Sequence, residues 1–214
     1  MAVILIGAGG HASVVADALA VTGVRIAAVC AERGIGASFA GQRVQSLEAL
    51  PELRVAGHVH AHVAIGQPMV RARLGAALSA AGFRLCSVVH PRACVSPSAE
   101  VGEGAFIAAG VIIAPGVRIG ARAIINHRCS LDHDTAVGED AHLAPGVLTG
   151  GHARIGARSW VGLGAVLRDR AVIGAGSFIG AGSLVLKSIP EAVLAYGQPA
   201  RVVRSIAEGD WPYP

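Results

Sequence analysis

The chain has 214 residues, of which 53% are hydrophobic and 15% charged, and its formal net charge is +4 at pH 7. This length can bury a substantial core as one large domain or two small ones, and no apolar run approaches the ~20 residues that a membrane span needs. The mild charge has no basic run or interleaved aromatic residues behind it, so nucleic acid is not favoured as a partner and anionic small molecules fit equally well.

The first predicted elements are a buried strand, a glycine turn and a helix, in VILIGAGGHASVVADAL at residues 3–19. Gly7, Gly9 and Ala12 match G-x-G-x-x-A, and the backbone amides of such a turn at a helix N-terminus suit a phosphate. The motif also raises a dehydrogenase hypothesis. Only about 90 residues precede the repeat described below, with an expected five strands and three helices, which is too little for both halves of a dinucleotide fold. We therefore predict a Rossmann-like half domain over residues 1–90.

The amino-terminal stretch MAVILIGAGG has no basic leader before it and no usual signal-peptidase site, so secretion is not expected. The cysteines are scattered without C-x-x-C spacing, at Cys30, Cys86, Cys94 and Cys129. This pattern argues against a zinc site or a disulfide framework and fits a reducing compartment. We predict a cytoplasmic protein.

Two later parts of this half domain carry polar residues that follow predicted strands. Glu32 comes after the second strand, RIAAVC, where a ribose ligand is expected. The fourth strand, HVHAHVAIG, has histidines at alternate positions, His58, His60 and His62. They lie along a line instead of around a point, which favours a polar strand face over a metal site.

A repeat of six residues occupies the rest of the chain. Aliphatic residues recur at every sixth position from Val95 to Val185, and Thr149 is the one exception. Residues 95–190 form 16 such hexads without an insertion, and a small or β-branched residue stands four positions after each aliphatic one. This period predicts a parallel β-helix with three hexads in each 18-residue coil, over residues 91–190. Glycine often follows the aliphatic position, where we expect a sharp bend.

The 18-residue coil turns sequence separation into position. His133, Gly151 and Asp169 are predicted to share one face, with coils about 4.8 Å apart. A matching line on the adjacent face contains His127, Pro145, Leu163 and Ala181. By the same count His142 lies near a corner with Trp160 stacked one coil later, and Cys129 points inward.

His133 stands between Asp132 and Asp134, and three interpretations are open: a solvated residue, a metal ligand or a general base. A base needs a pKa near the working pH and a partner that fixes its tautomer, and either carboxylate would suit. Metal binding is less favoured, because neighbouring side chains of a β-segment point to opposite sides.

The segment INHRCSLDHDTAVGEDAHLAPGVLTGG, together with the amino-terminal glycine loop and YGQPARVV near the end, resembles one family of left-handed β-helix acyltransferases. These are the bacterial sugar acetyltransferases related to the sialic acid O-acetyltransferases, and the nucleotide-amino-sugar N-acetyltransferases that make bacillosamine and N-acetylperosamine. The resemblance covers nearly the whole chain. It implies a left-handed coil, acetyl-CoA as co-substrate, no metal, and a homotrimer with the CoA cleft between subunits.

The resemblance also implies residue roles. His133 corresponds to the proposed base, Asp134 to the acid that increases its basicity, and the Gly151 backbone to the group that meets the thioester carbonyl. Contacts with acetyl-CoA fall on His142, Gly151, Leu163 and Ala181. The nucleotide sugar falls on Gly9, Gly10, His11, Glu32, Gly66 and Gln67, although Cys30, Ala31 and Glu32 stand where relatives often carry an acidic pair.

The predicted tail, residues 191–214, contains the segment G-x-P-A-R at Gly197 to Arg201, which in such enzymes helps close the CoA site. Arg201 has two interpretations that remain open: it contacts a CoA phosphate, or it caps the β-helix.

The sequence thus predicts an acetyl-CoA-dependent N-acetyltransferase that acts on a nucleotide-linked amino sugar, expected to be a 4-amino-4,6-dideoxy sugar, in surface glycan or lipopolysaccharide synthesis. Transfer would be direct, with His133 as base. One alternative is O-acetylation of a sialic acid or a related sugar. An alternative of another class is a non-catalytic β-helix protein that binds nucleotide sugars.

Overall fold

The computed structural model describes residues 1–207, so the predicted tail is described only as far as Ala207 and its remainder lies outside the described residues. The first part is an α/β unit. Its strands are β1 (Ala2–Ile6), β2 (Arg25–Ala31), β3 (Ser38–Phe39), β4 (Gln42–Ser46), β5 (His60–Val63) and β6 (Arg84–Leu85), and its helices are α1 (Gly10–Thr22), α2 (Leu50–Val55) and α3 (Pro68–Ala80), with a 3-10 turn at Leu47–Ala49. The sheet order is β3-β4-β2-β1-β5-β6, and only the β3–β4 pair is antiparallel. Five strands were expected here and six are present.

Strand β1 is buried on both faces and its alternate side chains enter two different cores. Val3 and Leu5 pack in one cluster with α1 and the interior of the repeat region, whereas Ile4 and Ile6 pack with residues of α3. Helices on both faces are what a parallel sheet requires. The α/β unit is therefore joined to the repeat region by a continuous apolar core.

The predicted polar strand face is wrong for His62, which is buried in this unit. Its side chain lies in the interior at 1% exposure, and Nδ1–H donates a hydrogen bond of 2.8 Å to the Cys86 carbonyl. Burial lowers its pKa to about 4. His62 is therefore a neutral core histidine at physiological pH.

The repeat region is a β-helix built from strands of two residues. The strands are β7 (Val88–Val89), β8 (Cys94–Val95), β9 (Glu100–Val101), β10 (Phe106–Ile107), β11 (Ile112–Ile113), β12 (Arg118–Ile119), β13 (Ile124–Ile125), β14 (Ser130–Leu131), β15 (Ala136–Val137), β16 (His142–Leu143), β17 (Leu148–Thr149), β18 (Arg154–Ile155), β19 (Trp160–Val161), β20 (Val166–Leu167), β21 (Val172–Ile173), β22 (Phe178–Ile179) and β23 (Leu184–Val185). Each pairs in parallel with the strand 18 residues later, as between Ile125 and Leu143. Pairing already begins at Val88–Val89, ahead of residue 91.

The strands form three faces. The first face contains β7, β10, β13, β16, β19 and β22, the second contains β8, β11, β14, β17, β20 and β23, and the third contains β9, β12, β15, β18 and β21. The tail adds a hairpin to the first face, because β24 (Val193–Gly197) pairs with β22 and β25 (Ala200–Ser205) turns back antiparallel to β24. The aliphatic column points into the coil, where residues such as Ile125, Leu131 and Leu143 are fully buried.

The corners differ from the prediction in two ways. The sharp bend occurs at the fourth position of the hexad, where the backbone is left-handed in glycines and also in Arg122, Asp134 and His152. Glycines that follow the aliphatic residue serve close packing instead, since a Cβ on Gly120 would lie 2.5 Å from the Glu139 nitrogen of the next coil.

The assignment of residues to faces and corners is reversed relative to the prediction. His133 and Gly151 lie in turns between the second and third faces, and Leu163 lies in a turn between the first and second faces. His142, expected near a corner, belongs to strand β16 of the first face. The six-residue period correctly predicted which residues stack on one another. The bends, however, occur at the third and fourth positions of each hexad.

Each face has a different outer surface. Phe106 and Ile124 on the first face are buried, since the α/β unit packs there. The second face exposes apolar side chains, with Ile112 at 53% and Leu148 at 44% exposure, whereas the third face presents exposed charged residues such as Arg118. Within residues 1–207, no helix has the length and apolar character needed to cross a membrane.

Gly120→Ala tests the role of glycine in coil stacking. The added methyl group has no room against the backbone of the next coil, so we expect the free energy of unfolding to fall by about 1–3 kcal/mol. Gly10→Ala is the control, because nothing lies within 4 Å of its Cβ position, and alanine there should leave stability unchanged or raise it slightly. Thermal unfolding of both variants measures the difference, and equal effects would contradict this explanation.

Candidate active site

The turn that holds His133 is fixed by one hydrogen bond within the turn and one to the next coil. Asp132 Oδ1 accepts a hydrogen bond of 2.7 Å from the His133 backbone N–H, and the Asp132 backbone N–H donates to Thr149 Oγ1 at 3.2 Å. Thr149 is the one break in the aliphatic column, and it lies directly under this turn. The break therefore has a local purpose, since a hydroxyl there anchors the residue beside His133.

The imidazole of His133 is paired with Asp134. The left-handed backbone of Asp134, with φ 58°, lets its carboxylate fold back so that Oδ2 accepts a hydrogen bond of 2.9 Å from His133 Nδ1–H. This bond, and the charges of Asp132, Asp134 and Asp169, raise the pKa of His133, and the bond to His133 lowers the pKa of Asp134. The tautomer leaves Nε2 unprotonated and able to accept a proton. Both side chains are half exposed, as a group that meets a substrate must be.

Gly151 lies one coil after His133 and immediately beside the free nitrogen. A Cβ at this position would lie 2.6 Å from His133 Nε2, so only glycine lets the imidazole rest here. Within residues 1–207 the Gly151 N–H has no hydrogen-bond acceptor. The site thus combines a proton acceptor and a backbone donor at adjacent positions.

His152 is a residue of this site that the sequence analysis missed. Its Nε2 lies 3.8 Å from Asp134 Oδ2, and its ring centroid lies 5.0 Å from that of His133 in an edge-to-face arrangement. Donor atoms of His133, Asp134 and His152 lie within 4.8 Å of one another. Neighbouring side chains diverge in a strand but can converge in a turn. His152 lies one 18-residue coil after Asp134, so the coil length places these two residues together.

The second corner, between the first and second faces, carries the other predicted column. Leu163 is 51% exposed and Ala181 is also exposed, and the two residues lie one coil apart. Arg201 is exposed at the start of β25, where its Nη1 donates to the Ala200 carbonyl at 3.1 Å. These residues lie on the side of the second face opposite to the corner of His133.

His142 does not join either corner. It is 4% exposed, with Nδ1–H donating to the Gly66 carbonyl at 3.1 Å and Nε2 accepting from Asn126 Nδ2 at 3.4 Å. Its ring packs against Trp160 with centroids 4.0 Å apart, which confirms the predicted stacking. Burial lowers its pKa to about 3, so the imidazole is neutral.

A cavity of about 620 Å³ lies at the carboxyl ends of the strands of the α/β unit. It contains five of the six residues predicted to bind the substrate, namely Gly9, Gly10, His11, Glu32 and Gly66. The sixth, Gln67, caps α3, since its Oε1 accepts a hydrogen bond of 2.6 Å from the Val70 N–H. Glu32 forms an ion pair of 2.7 Å with Arg73.

His11 has an unsatisfied nitrogen at one end of this cavity. Its Nε2 is buried and has no hydrogen-bond partner among the described residues. Burial, with a smaller effect of neighbouring His142, lowers its pKa well below the usual value. His11 thus lines the cavity and has a buried polar atom that the described residues leave unsatisfied, which is rare in folded proteins.

Sequence families match both halves of the chain. The family described as "PglD N-terminal domain" matches residues 2–78, and the family described as "Hexapeptide repeat of succinyl-transferase" matches residues 150–183. Among curated proteins, the galactoside O-acetyltransferases of Lactococcus lactis and Escherichia coli are each 46% identical, over 52 and 54 residues. The chain spans only about a quarter of the length of these curated relatives.

Solved structures match over almost the whole chain. A histidine-to-alanine mutant of GDP-perosamine N-acetyl transferase from Caulobacter crescentus, in complex with CoA and GDP-perosamine, is 37% identical with a TM-score of 0.93, covering 96% of this chain and 98% of that one. The acetyltransferase domain of PglB from Neisseria gonorrhoeae is 30% identical with a TM-score of 0.89, covering 94% and 99%.

The hexapeptide coil fits a left-handed β-helix, and together with the similarity to acetyltransferases solved with CoA it identifies the chain as an acyltransferase. The sequence identity with the Caulobacter crescentus enzyme is above 30% over nearly the full length of both chains, which is enough to assign a family. The chain belongs to the family of hexapeptide-repeat sugar N-acetyltransferases that carry a PglD N-terminal domain.

Asp134→Asn should lower the pKa of His133, because the hydrogen bond to this carboxylate is the main cause that raises it. A raised pKa means that the neutral base is lost at a higher pH on acidification. In the variant, the titration of His133 should therefore move to lower pH, towards the ordinary range of histidine. NMR titration of the imidazole protons measures this without a substrate. Asp169→Asn should give a smaller shift, and a shift as large as that of Asp134→Asn would contradict the assignment.

Proposed function

We propose that the protein transfers the acetyl group of acetyl-CoA to the amine of a nucleotide-linked amino sugar, a 4-amino-4,6-dideoxy sugar, in the cytoplasmic synthesis of a surface glycan. The observation that carries the proposal is the half-exposed His133, whose Nδ1–H is bound by Asp134 while Nε2 remains free beside Gly151. The similarity to an enzyme solved with CoA and GDP-perosamine supports the class of substrate.

The chemistry follows from the free nitrogen and the free N–H. The amine attacks the thioester carbonyl while His133 Nε2 takes its proton, and the Gly151 N–H donates to the oxygen on which negative charge develops. Collapse of the tetrahedral intermediate expels the CoA thiolate, which takes the proton back from the imidazolium. A single such donor is worth about 3 kcal/mol of barrier. Cys129 is not a nucleophile here, because it is buried in the coil and burial raises its pKa to about 12.

The cavity of the α/β unit is proposed to hold the nucleotide and the sugar. Gly9 and Gly10 lie at the N-terminus of α1, whose free backbone amides and positive end suit a diphosphate. Glu32 follows β2, where a carboxylate reaches a ribose hydroxyl. His11 is proposed to donate or accept at the sugar, since its buried Nε2 needs a partner. Ile65 and Gly66 form the wall nearest to the β-helix, and Gln67 is proposed to support that wall as the cap of α3.

CoA is proposed to contact Leu163 and Ala181, with Arg201 near a phosphate. The two corners lie on opposite edges of the second face, and that face carries exposed apolar side chains, Ile112, Leu148 and Val166. A homotrimer with the second face inward would bury these side chains and bring the His133 corner of one subunit to the Leu163 corner of the next. His142 is proposed to support Gly66 and not CoA directly, because both of its nitrogens are already bonded.

The first experiment is an assay of CoA release with UDP-, GDP- and dTDP-linked 4-amino-4,6-dideoxy sugars and free sialic acid as acceptors. We expect turnover with one nucleotide amino sugar and a loss of at least about 100-fold in His133→Ala, because the base is removed. His58→Ala, a partly exposed histidine of the α/β unit, is the matched control and should keep full activity. Product mass and NMR identify the acetylated atom.

O-acetylation is the second candidate, and the 46% identity with a galactoside O-acetyltransferase over 52 residues favours it. Turnover with sialic acid alone would replace the proposed reaction by O-acetylation. CoA binding without turnover of any acceptor would contradict the proposed reaction and favour a non-catalytic binding protein. Equal activity in His133→Ala would contradict the role of His133 as the base.

Leu148→Glu tests the proposed trimer. A carboxylate in the middle of the apolar second face would be buried without a partner in the assembly, so the variant should be monomeric. Because the two corners meet only between subunits, activity should fall in parallel with the trimer fraction. Light scattering with the CoA-release assay measures both, and Glu100→Lys at an exposed position of the third face is the control. A monomeric variant with full activity would show that one subunit holds a complete site.

A further inference from the structure

Arg71 of α3 is completely buried, and its guanidinium is surrounded by backbone carbonyls. Its side chain is 1% exposed. Nε–H donates to the Arg122 carbonyl at 2.7 Å, Nη1 donates to the carbonyls of Ile65 and Gly66 at 2.8 Å each, and Nη2 donates to those of Asp140 and Ala141. All five N–H groups of the side chain therefore have an acceptor.

These five acceptors belong to two different parts of the molecule. Ile65 and Gly66 form the loop after β5 that lines the cavity of the α/β unit, whereas the other three carbonyls belong to turns of the β-helix. The Gly66 carbonyl also accepts the hydrogen bond from His142 at 3.1 Å. One loop residue is thus held by a side chain of its own unit and by a side chain of the β-helix.

The electrostatic surroundings keep Arg71 charged. Burial lowers its pKa to about 10, with Asp140 acting in the opposite direction, so the guanidinium stays protonated at neutral pH. The buried Asp140 forms a bidentate pair with Arg122, at 2.9 Å from Nε and 2.8 Å from Nη2, and lies 3.9 Å from Arg71 Nε. Arg122 in turn lies against Gly75 of α3, where a Cβ would overlap its side chain.

We propose that Arg71 is a positioning residue of the acetyl transfer: it locks the Ile65–Gly66 wall of the nucleotide-sugar cavity to the β-helix, so that the held amine meets the base and thioester in one fixed geometry. This inference rests on the proposed function. The reason is geometric. The α/β unit holds the amine, the β-helix holds the acetyl group, and the buried contacts of Arg71 align these two units. A displacement of about 1 Å at the reacting atoms can reduce a rate about 100-fold.

Arg71→Lys tests these buried contacts, because lysine keeps the positive charge but has only three N–H donors for the five carbonyls. Hydrogen exchange of the intact protein reports on the Arg71 contacts without a substrate, and amides around residues 64–70 should exchange about tenfold faster in the variant. Amides of the coils beyond residue 160 should be unchanged. Gly75→Ala, which displaces Arg122 from α3, is a second variant that should loosen the same segment.

Kinetics separate positioning from folding. We expect the kcat of Arg71→Lys per CoA-binding site to fall about 100-fold, while the acetyl-CoA KM and CoA-binding stoichiometry stay near the wild-type values. Arg84→Lys, at an exposed position of the same unit, is the matched control and should behave as wild type.

Three results are decisive. Unchanged exchange around Gly66 in both variants, or a kcat per CoA-binding site within about twofold of wild type, would overturn the positioning role. If the wild-type protein turns over no nucleotide amino sugar, the proposed function fails, and the exchange measurement still decides whether Arg71 holds the loop.

Discussion

The structure depends on one constraint, the parallel pairing of each two-residue strand with the strand 18 residues later. Ile125 pairs with Leu143 and Leu131 with Thr149, and this register continues from Val88 to Val185 without an insertion. A slip of one residue would move the aliphatic column out of the coil, so the apolar core enforces the register. The same register places Gly151 beside the imidazole of His133.

The sequence alone was sufficient for the stacking of the coils but not for their bends. A period of six with inward aliphatic residues predicted that His133 and Gly151 would be neighbours, because that statement needs only the coil length. It did not predict which hexad positions turn, since arginine, aspartate and histidine adopt the left-handed backbone here as well as glycine. For that reason Asp134 was treated as part of a strand, and the convergence of His152 on its carboxylate was missed.

The contacts between the α/β unit and the β-helix could not be predicted from the sequence, because they join residues that are far apart along the chain. Arg71 meets Asp140 across 69 residues, and His142 meets Gly66 across 76, so no local pattern links them. The family resemblance assigned His142 to acetyl-CoA, yet docking of the α/β unit buries its side chain. Spacing within the repeat predicts neighbours along the coil, whereas burial of an outward side chain depends on what covers that face.

The side chain of His133 is half exposed, and the groups around it hold it in place. As the proposed base, His133 has to be open to its substrate, so packing of its own side chain does not orient it. Its orientation depends instead on its own turn, where Asp132, anchored on Thr149 of the next coil, holds the backbone and the Asp134 carboxylate holds Nδ1–H. Preorganised groups of this kind need no rearrangement during the reaction. In the proposed reaction the substrate amine has no such support at the corner, and the cavity wall that Arg71 ties to the β-helix provides its alignment.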